Sequence, residues 1–188
     1  GGWQFGDDEF LSGGPDQDVN AGFISTIGGI TFDSVPWTPN LTGLFWWGSG
    51  DANPGDGEIN TMYTLYPLGH AYWGQIDNFN GSNLLDYSAQ ASVKPTDRLK
   101  LAMQWHWFDK ASADDFIYNI GGAPLGNTTV LNRNIGNELD LVGTYQASKN
   151  LQVQLGYFCF WYGPAVDVDP TLRRDDATQL YIMTTWKY

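Results

Sequence analysis

The stretch "DANPGDGE", from Asp51 to Glu58, places several oxygen-bearing side chains close together among glycines. Carboxylate and amide oxygens are the ligands that calcium prefers. The candidate ligands for a structural calcium ion are Asp51, Asn53, Asp56 and Glu58. The spacing is not that of an EF-hand loop, and Asp and Asn also favour tight turns. A calcium site and a simple turn therefore both fit this stretch, and no other cofactor is expected.

Charged side chains recur at alternate positions of other segments, with apolar residues between them. In "RLKLAMQWHWF", Arg98, Lys100 and His106 alternate with leucine, methionine and tryptophan. Alternate residues of a strand share one face, so these side chains would line the polar side of a sheet. The candidate lining residues of a water-filled pore are Asp86, Lys94, Arg98, Lys100, His106, Glu138, Asp140 and Lys187. Pairing of opposite charges across strands is the alternative interpretation.

The segment from Gly57 to Asn78 combines aromatic residues with Gly, Pro, Asn and Thr, and it shows no helical period. We expect a long loop that packs on itself or folds back into a pore, with rings that would also stack on sugars. The candidate residues of this loop are Tyr66, His70, Tyr72 and Trp73. We expect His70, close to Pro67, to hold the loop by hydrogen bonds.

Catalytic groups are scarce in this chain. There are two histidines, and the G-x-S-x-G motif of serine hydrolases does not occur. The acidic pairs Asp114–Asp115 and Asp175–Asp176 are expected to be solvated turn residues. The sequence therefore predicts a protein that is not an enzyme.

Period-two alternation predicts about eight strands of roughly ten residues. Short turns at 95–97 and 148–150 and the connection "DSVPWTPN" alternate with long polar loops at 48–83, 110–135 and 163–177. The predicted strands are 20–32, 41–48, 84–94, 98–108, 138–147, 151–162 and 179–188, with a weaker one at 3–5.

Composition excludes several classes of protein. A net charge of −12 argues against nucleic acid as a partner. The single Cys159 excludes an internal disulfide and a cysteine-based zinc site. The sequence contains no apolar run of about 18 residues, so a transmembrane helix is not predicted. Signal-peptide features are not found at the first residues, so we expect a removed leader or a chain that begins within a longer protein.

The polar faces of the predicted strands carry Gln, Ser and Thr rather than many Lys and Glu, and aromatics cluster near strand ends. This pattern is typical of an antiparallel, transmembrane, up-and-down β-barrel in contact with membrane lipid. A soluble β-sandwich or lipocalin-like barrel is the alternative. The last strand ends on Tyr188, with Trp186, Ile182 and Leu180 at alternating positions. Such a strand is similar to the one that bacterial outer-membrane proteins present to their assembly machinery. Its position predicts long loops outside the cell and short turns in the periplasm.

The segment "TMYTLYPLGHAYWGQIDNFNGSNLLD" resembles the C-terminal part of the alginate-export family of outer-membrane porins. The matching motif residues are Ser49, Gly50, Asp51, Pro54, Asp56, Gly57, Tyr66, Pro67, Gly69, His70, Tyr72 and Gly74. "WHWFDKASADDFIYN" and "GNELDLVGTY" resemble later strands of the family. The resemblance covers roughly residues 41–188.

The resemblance implies a large monomeric barrel of about eighteen strands that passes anionic polysaccharide or small hydrophilic solutes by passive diffusion. Residues 1–188 would form one β-barrel domain or its C-terminal part, with no second domain. The mixed charge of the lining departs from the strongly basic pore that an alginate conduit needs. The alternative is a small, closed, non-conducting outer-membrane barrel, filled by side chains, with adhesive or structural outer loops.

Overall fold

Antiparallel strands dominate the computed structural model, which describes residues 1–8, 16–172 and 175–188. The elements in chain order are β1 (Gly2–Asp8), β2 (Gln17–Thr31), β3 (Asn40–Gly48), β4 (Glu58–Ile59), α1 (Gly69–Tyr72), β5 (Leu84–Thr96), β6 (Leu99–Lys110), β7 (Ile117–Tyr118), β8 (Pro124–Leu125), β9 (Asn134–Gln146), β10 (Leu151–Tyr162), α2 (Pro164–Asp167) and β11 (Ala177–Trp186). The long strands confirm the alternation seen in the sequence.

The long strands form one up-and-down sheet in the order β1-β2-β3-β5-β6-β9-β10-β11, with every neighbouring pair antiparallel. The short β4 adds to β2 in parallel, and β7 pairs with β8 in a separate hairpin. Among the described residues, no pairing joins β1 to β11, so the sheet has two open edges. The fold is all-β and agrees with the wall of a barrel.

No helix in the described part of the chain is long and apolar enough to cross a membrane.

Connections of unequal length lie at the two ends of the sheet. Residues 32–39, 97–98 and 147–150 join strands at one end, called here the short-turn end. Residues 49–83, 111–133 and 163–176 join strands at the other, the long-loop end. This alternation of short and long connections confirms the prediction. Arg173 and Arg174, within the third long connection, lie outside the described residues.

The two faces of the sheet differ in chemistry because side chains alternate along each strand. One face, the polar face, carries cross-strand partners such as Gln104 and Asp140. The opposite face, the apolar face, carries pairs such as Leu155 and Ile182, whose side chains remain 51% and 69% exposed. An extensive exposed apolar surface marks contact with a partner or a membrane.

The buried core lies on the polar face at the long-loop end, beneath residues 62–83. These residues, called here the in-folded segment, cover the sheet instead of extending away from it. Phe79 contacts Phe108 and Phe160, with ring centroids 5.0 and 5.8 Å apart. Trp73 meets Trp46 edge-on at 5.0 Å. The core is thus shared between strands and a loop.

Candidate functional site

Four of the predicted lining residues form one buried cluster on the polar face, near the long-loop end. Asp86 on β5, His106 on β6, and Glu138 and Asp140 on β9 are each at most 2% exposed. His106 Nδ1 lies 2.8 Å from Asp86 Oδ2, and its Nε2 lies 3.8 Å from Asp140 Oδ2. His106 therefore lies between two carboxyl groups from the neighbouring strands β5 and β9. The structure thus brings these four candidates together.

Glu138 connects this cluster to the in-folded segment. Its Oε1 accepts hydrogen bonds from the backbone N–H groups of Gln75 (2.6 Å) and Ile76 (2.9 Å). Gly74, immediately before them, has φ +83°, and a Cβ at this position would lie 2.6 Å from the Glu138 carboxyl group. Glycine is needed here for both its conformation and its small size.

The predicted cations lie elsewhere. Lys94 and Lys100 are exposed on the polar face, Arg98 lies in the turn between β5 and β6, and Lys187 follows β11. All four are nearer the short-turn end than the acidic cluster, and among the described residues none forms an ion pair. The charges that looked mixed in sequence are therefore separated along the strands.

The aromatic loop residues line one cleft. A cavity of about 340 Å³ lies between the in-folded segment and β1–β3, and its walls include Tyr66, Tyr72, Trp73 and Trp46. Tyr66 is 90% exposed, whereas Trp73 is buried. His70 is exposed, with its Nδ1 2.7 Å from Asp77 Oδ1, a contact that holds the segment to itself.

The candidate calcium ligands form hydrogen-bonded turns. Asp51 Oδ1 accepts a hydrogen bond from the Asn53 N–H, and Asp56 Oδ1 accepts one from the Glu58 N–H. Partial burial raises the pKa of Asp51, and the nearby charges of Asp115, Asp56 and Glu58 raise it further, against the effect of the Asn53 bond. The described residues include no group of three or more His, Cys, Asp or Glu placed to hold a metal ion. Calcium binding at Asp51, Asn53, Asp56 and Glu58 stays a prediction.

Asp115 corrects one sequence expectation, because it is 3% exposed and not a solvated turn residue. Its carboxyl group accepts hydrogen bonds from the Asp51 N–H (2.9 Å), the Thr61 hydroxyl (2.5 Å) and the Tyr118 hydroxyl (2.8 Å). Burial raises the pKa of Tyr118, and the charge of Asp115 adds to the effect. Asp115 thus ties two long loops together. An acidic pair in a loop gives no sign of this role, because the partners are distant in sequence.

A sequence model of the alginate export family matches residues 1–178. The chain belongs to the alginate export family. The match includes β1 and β2, which precede the stretch where the motifs are most evident. The search of curated proteins found no match. Alginate export is a transport family rather than an enzyme family, associated with polysaccharide export through an outer-membrane channel, and an all-β sheet with an exposed apolar face agrees with that location.

Proposed function

We propose that this chain forms part of the wall of a passive outer-membrane channel for anionic polysaccharide or for small hydrophilic solutes. The observation that carries the proposal is the division of one sheet into two faces. The exposed apolar face would meet membrane lipid, and the polar face would line a water-filled lumen. β11, with Leu180 and Ile182 on the apolar face, would be the strand recognised by the assembly machinery.

The in-folded segment would narrow the lumen. It covers the polar face at the long-loop end, and its backbone is tied to Glu138 of the wall at Gln75 and Ile76. Pore width and the charges along the lining are what filter solutes in a passive channel. The in-folded segment would supply the first of these filters, pore width.

The separation of charges along the strands would supply the second filter, which acts on the charge of the solute. With the short-turn end in the periplasm, a polyanion entering the channel meets Lys94, Arg98, Lys100 and Lys187 before it reaches the acidic cluster. Opposite charge raises the local concentration of an ion at a pore mouth. This arrangement raises the concentration of an acidic polymer at the periplasmic mouth and so favours its capture there.

The test is the conductance of the natural protein in planar bilayers, compared with a variant in which a short glycine linker replaces residues 65–79. The linker fits because the Thr64 hydroxyl donates to the Asn80 carbonyl at 2.5 Å, so the two ends already meet. We expect a measurable current from the natural protein and a larger one from the variant. The control replaces residues 53–56, which are exposed in the same connection and outside the in-folded segment, and should leave the conductance unchanged.

Absence of current from the natural protein and from the linker variant would contradict the proposal. That result would favour the closed, non-conducting barrel with adhesive or structural outer loops. Folding of every variant is verified beforehand by heat-dependent migration on gels, since folded barrels migrate differently from unfolded ones.

A further inference from the structure

Two acidic side chains of the buried cluster, Glu138 and Asp140, contact each other beneath the in-folded segment. They stand two residues apart on β9, so their side chains point to the same face of the sheet. Glu138 is 0% exposed and Asp140 is 2% exposed. These two groups, called here the carboxyl pair, are therefore closed off from water.

The carboxyl pair has few hydrogen-bond donors. Glu138 Oε1 accepts from the N–H groups of Gln75 and Ile76, and the Asp140 carboxyl also lies against the Gln75 N–H. Apart from these contacts and the one between the two carboxyl groups, no donor in the described part of the chain reaches Glu138 Oε2 or either oxygen of Asp140. Two buried carboxylates in contact repel each other. A proton held between them removes the repulsion and gives one carboxyl group an O–H that donates to the other.

The groups around the carboxyl pair carry too little positive charge to offset two carboxylates. Among the described residues, His106 is the only cationic group at ion-pair distance from the pair, and its closer partner is Asp86. β10 faces the carboxyl pair with Phe158 and Phe160. The other titratable or charged groups on the elements packed against it are His70 and Asp77 of the in-folded segment, Lys100 and Lys110 of β6, Tyr162 of β10, Tyr181 of β11 and Asp167 of α2.

We propose that the carboxyl pair shares one proton and that this proton holds the in-folded segment against the sheet. The segment is closed while the proton is present. Loss of the proton at higher pH leaves two carboxylates in contact, and release of Gln75 and Ile76 then lets water reach both groups. The inference rests on the proposed function only where this release is expected to widen a lumen.

The direction of the pH effect follows from what covers the carboxyl pair. The cover is the backbone of the in-folded segment, which lies so close that a Cβ on Gly74 would be 2.6 Å from the Glu138 carboxyl group. Opening exposes both carboxyl groups to water, where each ionises readily. The closed state therefore binds more protons than the open state, and a rise in pH favours the open state. Protonation of His106, beside Asp86 and Asp140, acts in the same direction because a cation there stabilises the closed cluster at lower pH.

The test is amide hydrogen exchange at Gln75 and Ile76 in detergent, expressed at each pH as protection relative to an unstructured peptide. We expect this protection to fall about tenfold or more in the natural protein between about pH 6 and about pH 9, while the current in planar bilayers rises. Glu138→Gln carries a permanent N–H donor for Asp140 and keeps an acceptor for the segment, so its protection and current should not change with pH. Asp97→Asn removes one carboxylate from an exposed turn at the short-turn end and should behave as the natural protein does.

Equal pH dependence of protection in the natural protein and in Glu138→Gln would overturn the role of the shared proton. The variant in which a linker replaces residues 65–79 separates this failure from failure of the channel, because it has no segment to release. If that variant conducts while protection in the natural protein is independent of pH, the proposed function stands and the shared proton does not. If neither protein conducts at any pH but protection falls as expected in the natural protein alone, the shared proton stands and the channel does not.

Discussion

Charged residues on the polar face have different surroundings according to their position along the strands. His106 lies between Asp86 and Asp140 in one buried region. Lys110, the cation of the polar face at the long-loop end, donates from Nζ to the carbonyl oxygens of Ala113, Asp115 and Val130. These bonds hold two parts of the 111–133 connection together. Lys100, nearer the short-turn end, is exposed instead.

Asp51 allows a prediction about pH. Its pKa is raised in the folded protein, first by burial and then by neighbouring carboxylates. A carboxyl group whose pKa is raised on folding costs stability when ionised, and the cost disappears as the pH falls through the raised pKa toward the ordinary value of 3.8. Asp51→Asn should therefore slow proteolysis of residues 49–61 at pH 7, and the advantage over the natural protein should shrink toward pH 4.

The replacement is conservative because an asparagine oxygen can still accept the hydrogen bond from the Asn53 N–H. Asp56→Asn is the matched control, since Asp56 also accepts a turn hydrogen bond, from Glu58. Faster cleavage of Asp51→Asn at pH 7 would show that the Asp51 charge stabilises the loop, as a bound cation would require.

The in-folded segment was expected from the sequence as a loop that packs on itself or folds back into a pore, but its contacts with the strands were not predicted. Alternation gave the long strands and the positions of the long loops, because these depend on local periodicity. It placed Asp86, His106, Glu138 and Asp140 on one face. It could not reveal that Gln75 and Phe79 return to that face, because such contacts join distant parts of the chain. One signal was present: Phe108, Phe158 and Phe160 interrupt the polar face near the long-loop end, which indicates that something covers it.

Glu138 gives a prediction at this scale, because it anchors the segment through two backbone hydrogen bonds. Glu138→Ala removes the single oxygen, Oε1, that accepts both hydrogen bonds, and each such bond contributes about 0.5–1.5 kcal/mol. We expect amide hydrogen exchange at Gln75 and Ile76 to accelerate at least tenfold in detergent. Glu138→Gln keeps an acceptor oxygen of the same length and should retain most of the protection. Equal acceleration in both variants would show that the carboxyl charge, rather than acceptor geometry, holds the segment.

The molecule as a whole is organised by the contrast between its two faces and its two ends. Side chains of the apolar face at both ends of the strands are aromatic, including the stacked Trp105 and Trp161 and the exposed Trp186. Aromatic rings settle at membrane interfaces, so these residues would mark the two boundaries of the lipid layer. Between them, leucine and isoleucine cover the apolar face, and the polar face carries amides, hydroxyls and charges.

Strand β2 offers a matched pair of residues that tests which face meets lipid. Ile30 pairs with Leu41 on the apolar face, level with Met103 in the middle of β6, and Ile27 pairs with Leu44 on the polar face. The two side chains have the same exposure, 56%. A lysine facing lipid near the bilayer midplane costs about 2–4 kcal/mol, whereas a lysine facing a water-filled lumen is hydrated. We expect Ile30→Lys to lower the free energy of unfolding by that amount in urea titrations from lipid vesicles, and Ile27→Lys to leave it nearly unchanged. A larger loss of unfolding free energy in Ile27→Lys than in the apolar-face variant would mean that the apolar face is turned inward, as in a soluble barrel. The channel assignment would then be wrong.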